Sequence, residues 1–177
     1  QISALPGCEE ATPDLVDAVI EEAGKFATGV LDPLNWPGDQ HGASLNDHVV
    51  TPAPGFAEAY SQFCEAGWGA LANEPQWGGQ GLPHLVSTLT SEMWNAACMS
   101  FALCPMLTTG AVQAIKRHGT PEQKAMYLPN LVSGKWSGTM NLTEPQAGSD
   151  LSAVRSRAVP EGAHYRISGT KIFIPWG

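Results

Sequence analysis

Apolar positions recur at helical spacing through most of the chain and give way to alternation near its end. Leu15, Val16, Val19, Ile20, Ala23, Phe26, Ala27 and Val30 mark one face of a first helix. Thr12 is placed to cap it, Pro13 suits the first helical position, and Asp14 puts an acid in the first turn. Pro33 is expected to end it. Residues 35–55, NWPGDQHGASLNDHVVTPAPG, are dense in Pro, Gly, Asn and Asp and read as a loop with one short strand near 48–51. A second helix is expected over about 56–71, followed by the loop NEPQWGGQGLP at 73–83. Leu85, Leu89, Met93, Ala96, Ala97 and Phe101 then mark a long buried helix over about 84–103. Residues 106–118 form another, stopped by Gly119. Thr120 and Gln123 have the spacing of a capping box for one more helix, which ends near Ser133 and Gly134.

From residue 135 the pattern changes. Residues 135–144, 151–159 and 164–174 carry strand patterns, with a turn at Pro160, Glu161 and Gly162. The chain is therefore expected to be α+β. Residues 1–134 would form an all-helical N-terminal domain, and 135–177 the first strands of an antiparallel, β-barrel-like middle domain, incomplete as given. Strands that stop in mid-course leave edges uncovered, so the chain is expected to be a piece of something longer. It opens on Gln1 rather than Met.

Length and composition narrow the partners. A chain of 177 residues can build one good core, or one domain and part of another. With 43% hydrophobic and 15% charged residues, 19 Gly and 14 Pro, it reads as globular and loop-rich, not disordered. A net charge of −8 argues against nucleic acid as a partner. Up to Ile115 there are 13 acids and one base, Lys25; from Lys116 onward there are 8 bases and 4 acids. An anionic ligand would sit with the C-terminal part, although a chance asymmetry of solvated faces gives the same counts. Cys8, Cys64, Cys98 and Cys104 show neither CxxC nor zinc spacing with His, which suggests reduced thiols and a cytoplasmic protein. No run reads as long and apolar enough to span a bilayer, and no signal peptide is visible.

Several chemistries have no motif here: there is no GxSxG, HExxH, P-loop or GxGxxG. WGGQG at 77–81 reads as a tight turn before it reads as a phosphate cradle. Asp39, His41, Asp47 and His48 are metal-ligand types but read first as solvated turn residues, so no metal site is assigned. TMNLTEPQAGSD at 139–150 is the informative stretch. The Thr143 hydroxyl donates and accepts. Gly148 lets the backbone come close to a ligand. Ser149 and nearby amides could hold phosphate or carbonyl oxygens, and Asp150 could cap the turn through its own backbone. A plain surface turn and a cofactor seat both fit these residues, the turn more economically. Glu144 and Pro145 read as stiff and structural. GTKIFIPWG at 169–177 reads as an ordinary strand, with Phe173 among β-branched residues and Lys171 outward.

Together, MNLTEPQAGSDLSAV and YRISGTKIFI resemble the acyl-CoA dehydrogenase family. The first matches that family's Thr-Glu-Pro, two residues, Gly-Ser-Asp signature; the second matches its Gly-x-Lys-x-aromatic-Ile strand. EPQWGGQGLP resembles the stretch before the family's long helix, and HGTPEQKAMYLPNLVSG its helix leading into the β domain, so the likeness covers essentially the whole chain. GDQHGA, EAGWGALANEPQWGGQGLP and SEMWNAACMSFALCPMLTTGA look most like a bacterial branch with an extended C-terminus, which includes 3-methylmercaptopropionyl-CoA dehydrogenases.

The resemblance implies FAD-dependent α,β-dehydrogenation of an acyl-CoA thioester to the 2-enoyl-CoA, as in fatty acid metabolism. Electrons would pass to an electron-transfer flavoprotein, and the intact protein would be a homodimer or larger homo-oligomer. It also implies a C-terminal helical bundle that carries the glutamate base. That bundle is absent here, so no catalytic residue is assigned and these residues alone would be inactive. By the same resemblance Met140, Asn141, Leu142 and Thr143 would line the flavin ring, Leu142 and Thr143 near its N1–O2–N3 edge. Gly148 and Ser149 would approach its phosphates, and Ser149 would also touch the acyl-CoA. Phe173 would stand beside the flavin, with Ile174 and Pro175 at the N5 edge. Pro175 stands where the family commonly has Thr or Ser, which removes a donor to N5. Gln146 stands where Gly is frequent, and Glu144 is a motif residue rather than the base. Two alternatives stay open: a family-derived, non-catalytic module that binds an acyl chain or a protein, and a flavin enzyme with a changed reaction such as an oxidase.

Overall fold

The computed structural model describes residues 2–174 and divides into two compact units, Gln1–Gly138 and Thr139–Gly177. In the first, α1 (Pro13–Phe26) starts as expected: Thr12 is extended, its hydroxyl accepts from the Leu15 amide at 3.3 Å, and Pro13 opens the helix. The path does not end at Pro33. A single π-helical turn, Ala27–Leu31, carries it into α2, Asp32–His41. Pro33 sits in the first turn of α2, where an amide needs no helical partner. Pro37 gives up one hydrogen bond inside it. Residues 35–41 are therefore helix, not the loop that their composition suggests.

After α2, β1 (Ser44–Asn46) and β2 (Val49–Thr51) form an exposed antiparallel hairpin with Asn46 opposite Val49. Asp47 and His48 are its two turn residues, at φ 46° and 65°. Two positive φ values give the turn whose twist suits a hairpin, so these side chains serve a turn. The next helix, α3 (Phe56–Glu65), is shorter than expected and gives way to a 3₁₀ turn at Trp68–Ala70.

The two helices expected over 84–118 are joined as α4 (His84–His118), which hinges at Cys98, where φ is −155° and ψ 91°. Pro105 lies inside its second half. Contrary to the sequence reading, α4 is long and apolar enough, by length and composition, to cross a membrane. The non-helical Cys98 interrupts it, however, and its Val86, Trp94, Phe101 and Val112 are core residues of the helical unit. α5 (Pro121–Val132) carries the full capping box: the Gln123 side chain accepts from the Thr120 amide at 2.8 Å, and the Thr120 hydroxyl from the Gln123 amide at 3.3 Å.

The main core is aromatic. Trp94 packs edge-on against Phe26 and Trp68, with ring centroids 5.4 and 5.2 Å away, and Phe63 packs on Phe101 at 5.7 Å. Such pairs add about 0.5–1.5 kcal/mol each beyond simple burial.

The second unit has one antiparallel hairpin, β3 (Arg157–Glu161) and β4 (His164–Ser168), with Glu161 opposite His164 and Gly162 in its turn at φ 65°. Residues 135–143 are not a strand. Thr139, Leu142 and Thr143 have strand-forming side chains, but a strand exists only where a neighbour completes its ladder. Among the described residues the nearest bridge joins Glu144 and Ala147, just beyond this stretch. Residues 151–159 begin instead with a 3₁₀ turn, Leu151–Ala153, and the 164–174 strand stops at Ser168. Among the described residues the expected barrel-like sheet is thus a hairpin, with no closed barrel.

Candidate functional site

The site grows from a four-residue turn. Glu144 and Ala147 exchange both backbone hydrogen bonds, each 3.0 Å. Pro145 suits such a turn because its φ is preset and it has no amide to satisfy. Closing the turn sends the Glu144 carboxylate inward, where the residue is 3% exposed. It accepts from the Arg155 amide at 2.8 Å, the Ser156 amide at 3.0 Å, Gln146 Nε2 at 2.6 Å and Lys171 Nζ at 2.9 Å. A buried charge is tolerated only when paired and fully hydrogen-bonded, and this one is both. The Ser156 side chain, then the Lys171 ammonium and the Arg155 amide, hold the Glu144 carboxyl far below its ordinary range, against the opposing effect of burial. Gln146 also reaches the Ala153 carbonyl at 3.2 Å, so this departure from the family pattern braces the turn.

Lys171 does a second thing. Its Nζ donates to the Leu142 carbonyl at 3.0 Å, and the next amide, Ile172, donates to the Thr143 carbonyl at 3.1 Å. The two sequence motifs are therefore one object. Lys171 is not outward, as its strand position suggested, but half-buried against Glu144. Gly169 makes the approach possible: a Cβ there would overlap the Ser156 side chain.

With their carbonyls taken from one side, Leu142 and Thr143 keep their amides free. Among the described residues those amides, the Thr143 hydroxyl, the amides of Gly148 and Ser149 and the Ser149 hydroxyl have no partner. A Cβ at Gly148 would meet nothing within 4 Å, so the backbone there is open to a ligand. Asp150 turns away into its own cap, accepting from the Ser152 amide at 3.0 Å and its hydroxyl at 2.6 Å. The Asp150 carboxylate is thus engaged within its own turn and does not compete for these donors. Among the described residues these N–H and O–H donors meet no carboxylate, and such a set suits phosphate or carbonyl oxygens.

Met140, Asn141 and Leu142 are exposed beside these donors. Phe173 is 84% exposed at φ 52°, and Ile174 is half-buried. An aromatic residue at positive φ is an outlier of the kind that collects at functional sites. Pro175 lies outside the described residues. Reading the sequence took Glu144 as structural but missed its partners beneath the site, the Ser156 amide and the inward Lys171, and the close approach at Gly169. The available signal was charges of opposite sign in the two motifs, acids in the first and bases in the second.

In the helical unit a cavity of about 250 Å³ lies against both halves of α4, lined among others by Phe63, Trp68, Asn73, Ser91, Trp94 and Thr109. None of the residues expected to bind flavin lines it.

The profile described as acyl-CoA dehydrogenase, N-terminal domain, matches residues 17–135, and the chain belongs to the acyl-CoA dehydrogenase family. It is similar to 3-methylmercaptopropionyl-CoA dehydrogenase of Ruegeria pomeroyi, 48% identical over all of this chain and 30% of that protein. Among solved structures it resembles a chain from work on the electron-transferring flavoprotein of Acidaminococcus fermentans, with TM-score 0.76 and 28% identity over 92% of this chain and 40% of that one. It also resembles PigA with FAD and proline, with TM-score 0.73 and 27% identity over 92% and 40%. The chain thus spans about 30% of the length of the curated relative.

Proposed function

We propose that these residues belong to an FAD-dependent acyl-CoA dehydrogenase, which converts an acyl-CoA thioester to its 2-enoyl-CoA. One observation carries this reading: Glu144 and Lys171 join the two motifs into a single support that presents the free donors of Leu142, Thr143, Gly148 and Ser149. Leu142 and Thr143 would hold the flavin's N1–O2–N3 edge with amides and hydroxyl, and Gly148 and Ser149 its phosphates. Met140, Asn141, Phe173, Ile174 and Pro175 would flank the ring, and Ser149 would also touch the acyl-CoA. When bound, FAD supplies the acceptor for the hydride that leaves the substrate's β carbon. The chain's own part is to place fixed donors where negative charge collects on reduction, without reorganisation at that moment.

The base that removes the α proton is assigned to a glutamate outside these residues, so the 177 residues alone would not turn over. The relative at 48% identity makes 3-methylmercaptopropionyl-CoA the first substrate to try. An electron-transfer flavoprotein is the proposed electron acceptor, a homo-oligomer the assembly, and the cytoplasm the location, in keeping with four free thiols. The test is the visible spectrum of the full-length protein, titrated anaerobically with 3-methylmercaptopropionyl-CoA and butyryl-CoA, beside the isolated 177 residues. A flavin spectrum that bleaches in the full-length protein alone is expected. A colourless protein that cannot be loaded with FAD overturns the reading.

A further inference from the structure

One group in the site has a part to play beyond support. The Leu142 carbonyl and the Thr143 amide belong to the same peptide plane. Lys171 Nζ bonds that carbonyl at 3.0 Å, while the amide at the other end of the plane is free among the described residues. A cation on a carbonyl oxygen draws electron density along the peptide and makes its N–H a stronger donor, because linked hydrogen bonds polarise one another. Glu144 pins the ammonium in place at 2.9 Å, itself anchored by the Arg155 and Ser156 amides. The free Thr143 N–H is the group assigned above to the edge of the flavin where charge collects.

We propose that Lys171 is a positioning residue that tunes the flavin from behind the peptide: held by Glu144, it polarises the Leu142–Thr143 amide and strengthens the Thr143 N–H toward the reduced flavin. Lys171 does not touch the cofactor. It acts through one peptide bond, and it raises the flavin's midpoint potential by favouring the form with more negative charge at that edge. The inference rests on the FAD reading above.

The experiment uses the full-length flavoprotein and its K171R, K171M and E144Q/K171M variants. Flavin content is read from the visible spectrum, and midpoint potential by anaerobic spectroelectrochemistry. K171R keeps the cation and is expected to keep the wild-type potential. K171M is expected to retain flavin and shift the potential to more negative values. Because K171M leaves the buried Glu144 carboxylate without its cation and could fail to fold, the double variant removes that charge as well. It should show the same negative shift. K171M or the double variant binding flavin at the wild-type potential overturns the proposal, as does loss of flavin from folded variants, which would make Lys171 a mere brace. A wild-type protein without flavin is a different failure and removes the FAD reading itself.

Discussion

A carboxylate buried as Glu144 is leaves a signature in the acid limb of stability. Its folded-state pKa is depressed below the ordinary 4.5 by the Ser156 side chain, Lys171 and the Arg155 amide. A depressed folded pKa means that the unfolded chain takes up the proton first. The stabilisation is therefore complete above the ordinary value and drains away as pH falls below it toward the folded pKa. Thermal melts of wild type and E144Q from neutral to about pH 3 test this. E144Q should melt lower than wild type at neutral pH, and the gap should close on acidification; a gap independent of pH would count against Glu144 as the linked group. At this scale the sequence was half legible. Thr143, Gly148 and Ser149 announce themselves through a motif of small, oxygen-bearing residues, and the structure leaves their donors free. Glu144 and Lys171 lie 27 positions apart, and neither periodicity nor local propensity pairs charges across such a distance. The strand pattern around Lys171 pointed it the wrong way, because alternation assumes a ladder that ends at Ser168.

At the scale of elements, signals that are chemical and local survived, and those that are compositional did not. Thr12 before Pro13, and Thr120 with Gln123, name specific donors and acceptors, and both helix starts are found where these residues put them. Residues 35–41 are rich in Pro, Gly, Asn and Asp, yet α2 forms because a π turn carries α1 forward and Pro33 falls in a first turn. Likewise the hinge of α4 sits at Cys98, which no propensity marks, while Pro105 is absorbed. The value of a local signal can be measured. Thr120→Ala removes one arm of a reciprocal cap and should cost about 0.5–2 kcal/mol in denaturant unfolding. Thr88→Ala is its control: that hydroxyl only back-bonds to the His84 carbonyl at 2.9 Å within α4. Its removal should be neutral or slightly stabilising, since Ala favours a helix interior. Equal losses at the two threonines would show that the capping box carries no special weight.

At the scale of the helical unit, stability is concentrated where separate segments share one side chain. Trp94 comes from α4 and meets Phe26 of α1, Phe63 of α3 and Trp68 of the following turn, at centroid distances of 5.4, 6.0 and 5.2 Å. Four segments thus depend on one ring that is 3% exposed. Trp36 on α2 is the same residue type at 71% exposure. Apolar residues are common at protein surfaces, so exposure alone gives Trp36 no share in the core. Trp94→Ala should cost about 3–5 kcal/mol, the transfer of a large side chain plus the cavity left behind. Trp36→Ala should stay within about 0.5 kcal/mol of wild type. Urea unfolding followed by far-ultraviolet circular dichroism separates the two, and near-ultraviolet dichroism should fall with the loss of Trp94 because its ring partners lose their fixed neighbour. If Trp36→Ala proves as costly as Trp94→Ala, the exposed face of α2 is packed in the intact protein, and the burial of this unit would have to be redrawn around it.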